Sequence, residues 1–303
     1  MGGLAAYVMR GRMQAILVTA VAAVSALMLP PLSYLSGGAV ALVTLRRGGR
    51  EGVAVILGAA LAAIAVVLPL TGSVAPGVAY IGALWLPVWL LSITLRRTVS
   101  LPLALLMAGA IGAAVVVVTY GLLPDPTAWW KEELRQLLPQ LAKQGGGDAE
   151  QLRAGVEQMA RFMTGAMAAG LSLSLIGCLF LGRWWQAMLY NPGGFREEFH
   201  NLRLGRHWAS LSVVLVLIAA AGDGGISAPA WDLVLVALTL NVLQGLAVVH
   251  GIVRETGAHI GWLVTVYILL VITLPQTVLT LAMAGLADNW VDFRRIVARR
   301  RNG

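Results

Sequence analysis

Residues 99–123 have the sequence VSLPLALLMAGAIGAAVVVVTYGLL, a run without a single Asp, Glu, Lys or Arg. Two other runs, 53–70 and 162–181, are equally free of charge. Each is long enough to cross the hydrocarbon core of a bilayer, about 30 Å thick, as an α-helix. Helices are favoured because lipid offers no partner to free backbone groups, and barrel strands would alternate in polarity. We therefore predict an all-α, polytopic transmembrane helical bundle.

Composition supports this class of protein. Hydrophobic residues make up 58% of the 303 residues and charged residues 12%, against about 45–50% and 25% in soluble proteins. The net charge of +8 would suit nucleic acid, but its distribution indicates a membrane protein, and we expect no nucleic acid as a partner. The single cysteine, Cys178, lies in an apolar run and cannot form a disulfide within the chain. Because no metal-ligand spacing, Walker-type loop or catalytic constellation occurs, we expect no cofactor, no metal and no enzyme activity.

Apolar runs between polar connectors give the predicted membrane segments. They are 13–29, 32–45, 53–70, 78–95, 99–123, 162–182, 207–221, 231–250 and 258–287. The last run contains Leu274-Pro275-Gln276, and proline disfavours helix just before it. We expect a hairpin there, 256–273 and 276–293, which gives about 8–10 membrane segments. They form one membrane domain with an N-terminal bundle (1–123), an external insert (124–161) and a C-terminal bundle with a basic tail (162–303).

The distribution of arginine and lysine predicts which ends face the cytoplasm, because these residues accumulate on that side of short loops. With the N-terminus inside, the inner connectors carry 17 of the 22 basic residues and six acidic residues. The outer connectors carry five basic and eight acidic residues. If 258–287 crossed the membrane only once, 12 basic residues would lie inside and 10 outside. The hairpin is therefore favoured. We predict a multi-pass membrane protein with both termini in the cytoplasm.

The insert, 124–161, is predicted to be ordered and external. Leucines recur in it at the spacing of an amphipathic helix, at Leu134, Leu137, Leu138 and Leu141. Gly145-Gly146-Gly147 breaks this helix, and Asp148 is placed to cap the next one. We expect a helical hairpin lying on the outer membrane surface. The alternative is a lid over a substrate entrance.

Aromatic and basic residues mark the predicted span ends, where eight of the ten tryptophans fall. An indole settles there with its ring in the acyl chains and its N–H toward water. The predicted interfacial anchors are Arg183, Trp184, Trp185, Trp208, Trp231 and Trp290.

Two polar residues are expected deep inside a span. Asn241 and Gln244 share one helix face, where they either form interhelical hydrogen bonds or contact a substrate. They are the candidate substrate-binding residues.

Two further pairs are candidates for partner docking. Ala22 and Ala26 stand at the four-residue spacing that lets helices approach closely, so they can pack the bundle or receive a partner helix. Glu197 and Glu198 are acids that membrane anchoring does not require. They are expected to pair with neighbouring arginines or to contact a cytoplasmic partner.

Three motifs carry a family resemblance: ALVTLRRGGREG at 41–52, VLQGLAVVHGIVRE at 242–255 and GLADNWVDFRR at 285–295. Through them the chain resembles the YybS-like family of bacterial polytopic membrane proteins. That family is similar in turn to the substrate-binding S components of energy-coupling-factor transporters. The resemblance implies the bacterial cytoplasmic membrane, a bound solute and a transmembrane coupling subunit that docks through Ala22 and Ala26.

Two functions follow as expectations. The first is a solute-binding, transport-related membrane subunit with its pocket near Asn241 and Gln244. The alternative is a non-transporting organiser whose basic inner face recruits a cytoplasmic partner or anionic lipid.

Overall fold

The fold is all-α throughout the residues that the computed structural model describes, 2–136, 149–222 and 225–302. The first helices are α1 (Gly2–Arg10), α2 (Arg12–Ser25), α3 (Leu32–Arg47), α4 (Gly49–Thr71), α5 (Ala75–Tyr80), a π-helical turn (Ile81–Trp85), α6 (Leu86–Thr98) and α7 (Leu101–Leu122). They are followed by α8 (Pro126–Arg135), α9 (Ala149–Tyr190), α10 (Gly194–His200), α11 (Arg206–Ala221), α12 (Ser227–Thr256), α13 (Gly261–Ile272), α14 (Leu274–Val291) and α15 (Phe293–Asn302).

Five helical stretches are long and apolar enough to cross a membrane, which confirms the predicted fold class. They are Gly49–Thr71, Gly77–Thr98, Leu101–Leu122, Glu150–Tyr190 and Ser227–Thr256. The second of these runs through the π-helical turn without a break. Three shorter apolar helices, Arg12–Ser25, Arg206–Ala221 and Gly261–Ile272, accompany them.

Helix α3 lies at the centre of the N-terminal part. Every residue from 36 to 45 is buried, and the helix packs against α2, α4 and α9. Buried Ser36 accepts a hydrogen bond from the indole of Trp85 at 2.9 Å and donates one to the carbonyl of Thr19. The short second segment of the sequence is therefore a core helix of the bundle.

Helix α9 joins the predicted N- and C-terminal bundles. It has 42 residues, crosses the predicted boundary at 161–162 without a break, and packs against both α3 and α12. Helix α8 runs antiparallel beside its first part, with the Trp130 indole donating to Thr164 at 2.9 Å and Arg135 lying 3.9 Å from Glu157.

The described part of the insert is a pair of antiparallel helices, α8 and the start of α9. Because α9 is unbroken, this pair continues beyond the contact of Gly165 with Asp232. Asp125, which accepts a hydrogen bond from the N–H of Ala128, caps α8. The predicted features Leu137, Leu138, Leu141, Gly145-Gly146-Gly147 and Asp148 lie outside the described residues.

The last apolar run is divided into two helices beside Leu274-Pro275-Gln276, where the sequence predicts a break. The chain breaks at Thr273, between α13 and α14, and Pro275 stands in the first turn of α14. After α14 the chain reaches Arg294, which donates to the carbonyl of His200 at 2.6 Å. The basic tail therefore starts at the same end of the bundle as the 183–206 connector.

Two glycines set the approach of α14 to α12. A Cβ on Gly245 would stand 2.0 Å from the carbonyl oxygen of Leu281, and one on Gly285 would stand 2.1 Å from that of Asn241. The two backbones are in contact there, which only glycine permits. This crossing brings the last turns of α14 against the middle of α12, where the candidate site begins.

Candidate functional site

The predicted inner connectors meet at one end of the bundle, here named the basic end. Direct contacts tie them together: Arg12 with Glu51, Arg47 with the carbonyl of Met9, Arg96 with the carbonyl of Leu45, Arg183 with Glu198, and Arg294 with the carbonyl of His200. The arginine-rich connectors and the start of the tail thus share one side, as the charge count predicts.

Asp288 is the buried centre of this end, with its side chain fully shielded from solvent. One carboxylate oxygen accepts the backbone N–H of Phe293 at 3.1 Å. The other accepts a guanidinium hydrogen bond from Arg294 at 2.5 Å and lies 3.8 Å from Arg203. A buried carboxylate with two guanidinium groups and a backbone donor is well compensated.

The two arginines extend this network to the connector before α11. Arg294 donates to the backbone carbonyls of His200 at 2.6 Å and Leu202 at 3.1 Å. Arg203 donates to Asp292 at 2.8 Å and to the carbonyl of Asp288 at 2.8 Å. The ion pairs therefore fix α14, α15 and the connector as one unit.

Gln244, a candidate substrate-binding residue, belongs to this network. Its side-chain oxygen accepts the backbone N–H of Leu204 at 3.0 Å and the amide of Asn289 at 3.4 Å, and its amide donates to Asp288 at 3.4 Å. Asn289 also accepts the N–H of Gly205 at 2.8 Å. The polar groups of Gln244 are thus occupied between helices.

Asn241, the other candidate, is occupied in the same way. It accepts the indole N–H of Trp208 at 2.9 Å and donates to Ser212 at 3.4 Å, so it joins α12 to α11. Of the two roles expected for Asn241 and Gln244, the geometry is that of interhelical hydrogen bonding.

A cavity of about 200 Å³ lies directly outside this network. Its wall includes His200, Gly251, Arg254, Glu255, Arg294 and Arg295. A Cβ on Gly251 would stand 2.7 Å from the Cδ of Arg294, so this glycine leaves Arg294 room in the wall. Arg254 and Arg295 are exposed, and their guanidinium groups have no partner among the described residues.

His200 lies in the cavity wall, where neighbouring positive charges affect its pKa. Burial, together with the positive charges of His250, Arg254, Arg196 and Arg294, holds its pKa below the ordinary histidine value. Its Nδ1 is buried without a hydrogen-bond partner in the described part of the chain. Neutral His200 therefore stands among cations, and an anion in the cavity would relieve their repulsion.

The candidate partner-docking residues each had two expected roles. Ala22 and Ala26 are only 8% and 5% exposed, so their side chains pack inside this chain. Glu198 pairs with an arginine, Arg183, whose Nε lies 2.9 Å from the carboxylate. Glu197 is exposed.

The interfacial anchors divide into two groups. Trp184, Trp231 and Trp290 are exposed on the bundle surface, where an anchor is expected. Trp185 is fully buried among residues of α1 and α3, and its N–H has no hydrogen-bond partner in the part of the chain that the structure describes. Trp208 donates inward to Asn241. Arg183 is also buried by its pairing with Glu198. Adjacent helical residues point about 100° apart, and here Trp184 faces the bundle surface while Trp185 faces α1 and α3.

The sequence did not single out the two buried aspartates. Asp288 and Asp232 both fall near predicted span ends, where an acid is ordinary. Asp232 is 1% exposed and accepts the hydroxyl of Tyr120 and the backbone N–H of Gly165, both at 2.9 Å. A Cβ on Gly165 would stand 2.6 Å from the Cα of Asp232, so a glycine is required at this contact.

These features define the class of protein as an all-α helical bundle with membrane-spanning helices and a basic cavity at one end. No group of three or more potential metal ligands occurs among the described residues. No protein-family model, curated protein or solved structure matches the chain.

Proposed function

We propose that this chain is an integral protein of the bacterial cytoplasmic membrane that binds a phosphate-bearing solute at its basic end, on the cytoplasmic side. The proposal keeps the solute-binding role that the family resemblance implies and moves the site. Gln244 becomes a support of the site, because it contacts Asp288 and Asp288 holds Arg294 in the cavity wall. Asn241 joins α12 to α11 and does not contact the cavity wall.

One observation carries the proposal. Two guanidinium groups without partners, those of Arg254 and Arg295, stand on the wall of a cavity whose floor is fixed by a buried ion pair. Guanidinium groups bind phosphate with paired hydrogen bonds, and a fixed floor limits the entropy lost on binding. Glu255 lines the same cavity and lowers its positive charge. The site therefore suits one phosphate-sized group and not a polyanion.

The test is a titration of inorganic phosphate and of glycerol 3-phosphate against the protein in nanodiscs of zwitterionic lipid. We expect a saturable thermal stabilisation, from which an apparent Kd is obtained. Arg254→Gln should raise this Kd about tenfold, which corresponds to one charge-assisted hydrogen bond. Arg206→Gln removes the same charge from the same end, outside the cavity, and serves as the control. Equal loss in both variants, or no stabilisation in the wild type, would contradict the proposal.

Helix α15 favours a second function, the recruitment of an acidic cytoplasmic protein. This helix continues past the cavity and carries exposed Arg295 and Arg299. Neutralising Arg299 would weaken such recruitment and leave phosphate binding unchanged. Co-purification with and without Arg299→Gln separates the two functions.

A further inference from the structure

A second site lies at the basic end, between the start of α4 and the end of α6. It is a groove of about 550 Å³ lined by Gly49, Arg50, Val53, Trp89, Leu90, Ile93 and Arg97. The groove shares no residue with the basic cavity, and its argument does not depend on the function proposed above.

The two arginines of the groove differ from their neighbours. Arg46 stacks on the ring of Tyr190 at 4.1 Å, and Arg47 and Arg96 donate to the backbone carbonyls of Met9 and Leu45. Arg50 and Arg97 are exposed and form no hydrogen bond or ion pair with any described residue. Fixed arginines therefore surround two that remain available to a ligand.

Polarity changes along the groove in the same direction on both helices. On α6, Arg97 is followed one turn deeper by Ile93 and two turns deeper by Leu90. On α4, Val53 stands one turn deeper than Arg50. Since residues three or four apart lie on one helical face, each wall has a cation at the membrane surface and apolar side chains below it.

Specific contacts between α4 and α6 form the floor of the groove. The indole of Trp89 donates to the carbonyl of Gly49 at 2.9 Å. A Cβ on Gly52 would stand 2.9 Å from the Cδ1 of this indole, and one on Gly49 would stand 2.9 Å from the Cδ1 of Ile93. The two glycines thus let α6 approach the first turn of α4, and the indole closes the space between the helices.

We infer that this groove binds an anionic phospholipid. Arg50 and Arg97 hold the phosphate group, aided by the positive end of the α4 dipole. Val53, Leu90 and Ile93 contact the first part of an acyl chain. A soluble anion would use the arginines and leave the apolar wall without a function, so the lipid is the occupant that fits the whole groove.

Native mass spectrometry tests the inference on the full chain released from equimolar phosphatidylglycerol and phosphatidylcholine. We expect the wild type to retain phosphatidylglycerol preferentially. The double variant Arg50→Gln/Arg97→Gln should show about 25-fold less preference for phosphatidylglycerol, from roughly fivefold for each arginine near the surface. Because both side chains are exposed and unpaired, the variant should keep the wild-type melting temperature in phosphatidylcholine.

Two control experiments can overturn the inference. Arg206→Gln/Arg299→Gln removes two exposed charges from the same end, outside both the groove and the basic cavity. An equal loss in this variant would show diffuse attraction only. Glycerol 3-phosphate at millimolar concentration should leave the bound lipid in place. Displacement of the lipid by this soluble headgroup would show an anion site without an acyl-chain site.

Discussion

The two ends of the bundle each bury an aspartate, and they stabilise it differently. At the basic end Asp288 contacts two guanidinium groups, a backbone N–H and the amide of Gln244. At the opposite end Asp232 is bonded to a tyrosine hydroxyl and a backbone N–H. No ion pair of Asp232 occurs among the described residues.

The difference follows from where the chain keeps its cations. The predicted inner connectors hold 17 of 22 basic residues, so an acid buried at that end meets a guanidinium group. Near Asp232 the available donors are neutral. Removing the charge of Asp288 therefore leaves the buried guanidinium of Arg294 without a counter-charge. Removing the charge of Asp232 changes its hydrogen bonds to two neutral groups, Tyr120 and the N–H of Gly165.

The largest expected effect is that of Asp288→Asn. This change leaves the buried guanidinium of Arg294 uncompensated and should lower the free energy of unfolding by about 3–5 kcal/mol. Reversible unfolding in mixed micelles measures it, with Asp292→Asn, a less buried partner of Arg203, as the control. A loss below that of the control would show that Asp288 is not the centre of this end.

Asp232→Asn should have a smaller effect. The amide keeps an oxygen for Tyr120 or Gly165, and interhelical hydrogen bonds in membranes are worth about 0.6 kcal/mol each. We expect a loss of about 1 kcal/mol or less in the same unfolding experiment, with Tyr120→Phe as the matched single-bond variant. If Asp232→Asn lowers the free energy of unfolding as much as Asp288→Asn does, the proposed difference between the two ends is wrong.

Asn241→Leu should weaken the bundle slightly and leave ligand binding alone. It removes the hydrogen bonds to Trp208 and Ser212, at about 0.6 kcal/mol each. Phosphate titration and unfolding on the same preparation separate the two readouts. Lost phosphate binding without lost stability would restore Asn241 as a direct substrate contact.

The smallest effect is a pH dependence from His200. Burial and nearby cations lower its pKa in the folded protein, so the unfolded chain takes up a proton more readily. Its contribution to stability is present above the unfolded pKa of about 6.5 and is lost as pH falls below it. The melting temperature should fall between pH 7.5 and 5.5 by less in His200→Gln than in the wild type. An equal fall in both would exclude His200 as the source.

The sequence predicts the helices and their common basic end because both depend on properties summed over many residues. Apolar length sets the spans, and the hairpin at Pro275 follows from one local rule. The direction in which a single side chain faces is another matter. Ala22, Trp185 and Arg183 are each of a type common at membrane surfaces, and each is buried here by a neighbouring helix that one sequence cannot identify.

The site was predictable only in part for the same reason. Asn241 and Gln244 stand out because they are polar within a span. The partners of Gln244 are distant in the chain, and two of them, Asp288 and Asn289, meet it through the glycine crossing of α12 and α14. Asn241 meets Trp208 and Ser212 of α11. The cavity beside Arg294 has no sequence signal, because its wall combines α12, α15 and the connector before α11.

The length of α9 has a consequence for anything that approaches the protein from the opposite end. At about 1.5 Å per residue a helix needs about 20 residues to cross lipid, and α9 has 42. The surplus is divided between the two ends: the last turns of α9, from Arg183, belong to the basic end, and the first turns pair with α8 at the opposite end. An antibody or protease that approaches the opposite end would meet this helix pair, which extends beyond the contact of Gly165 with Asp232.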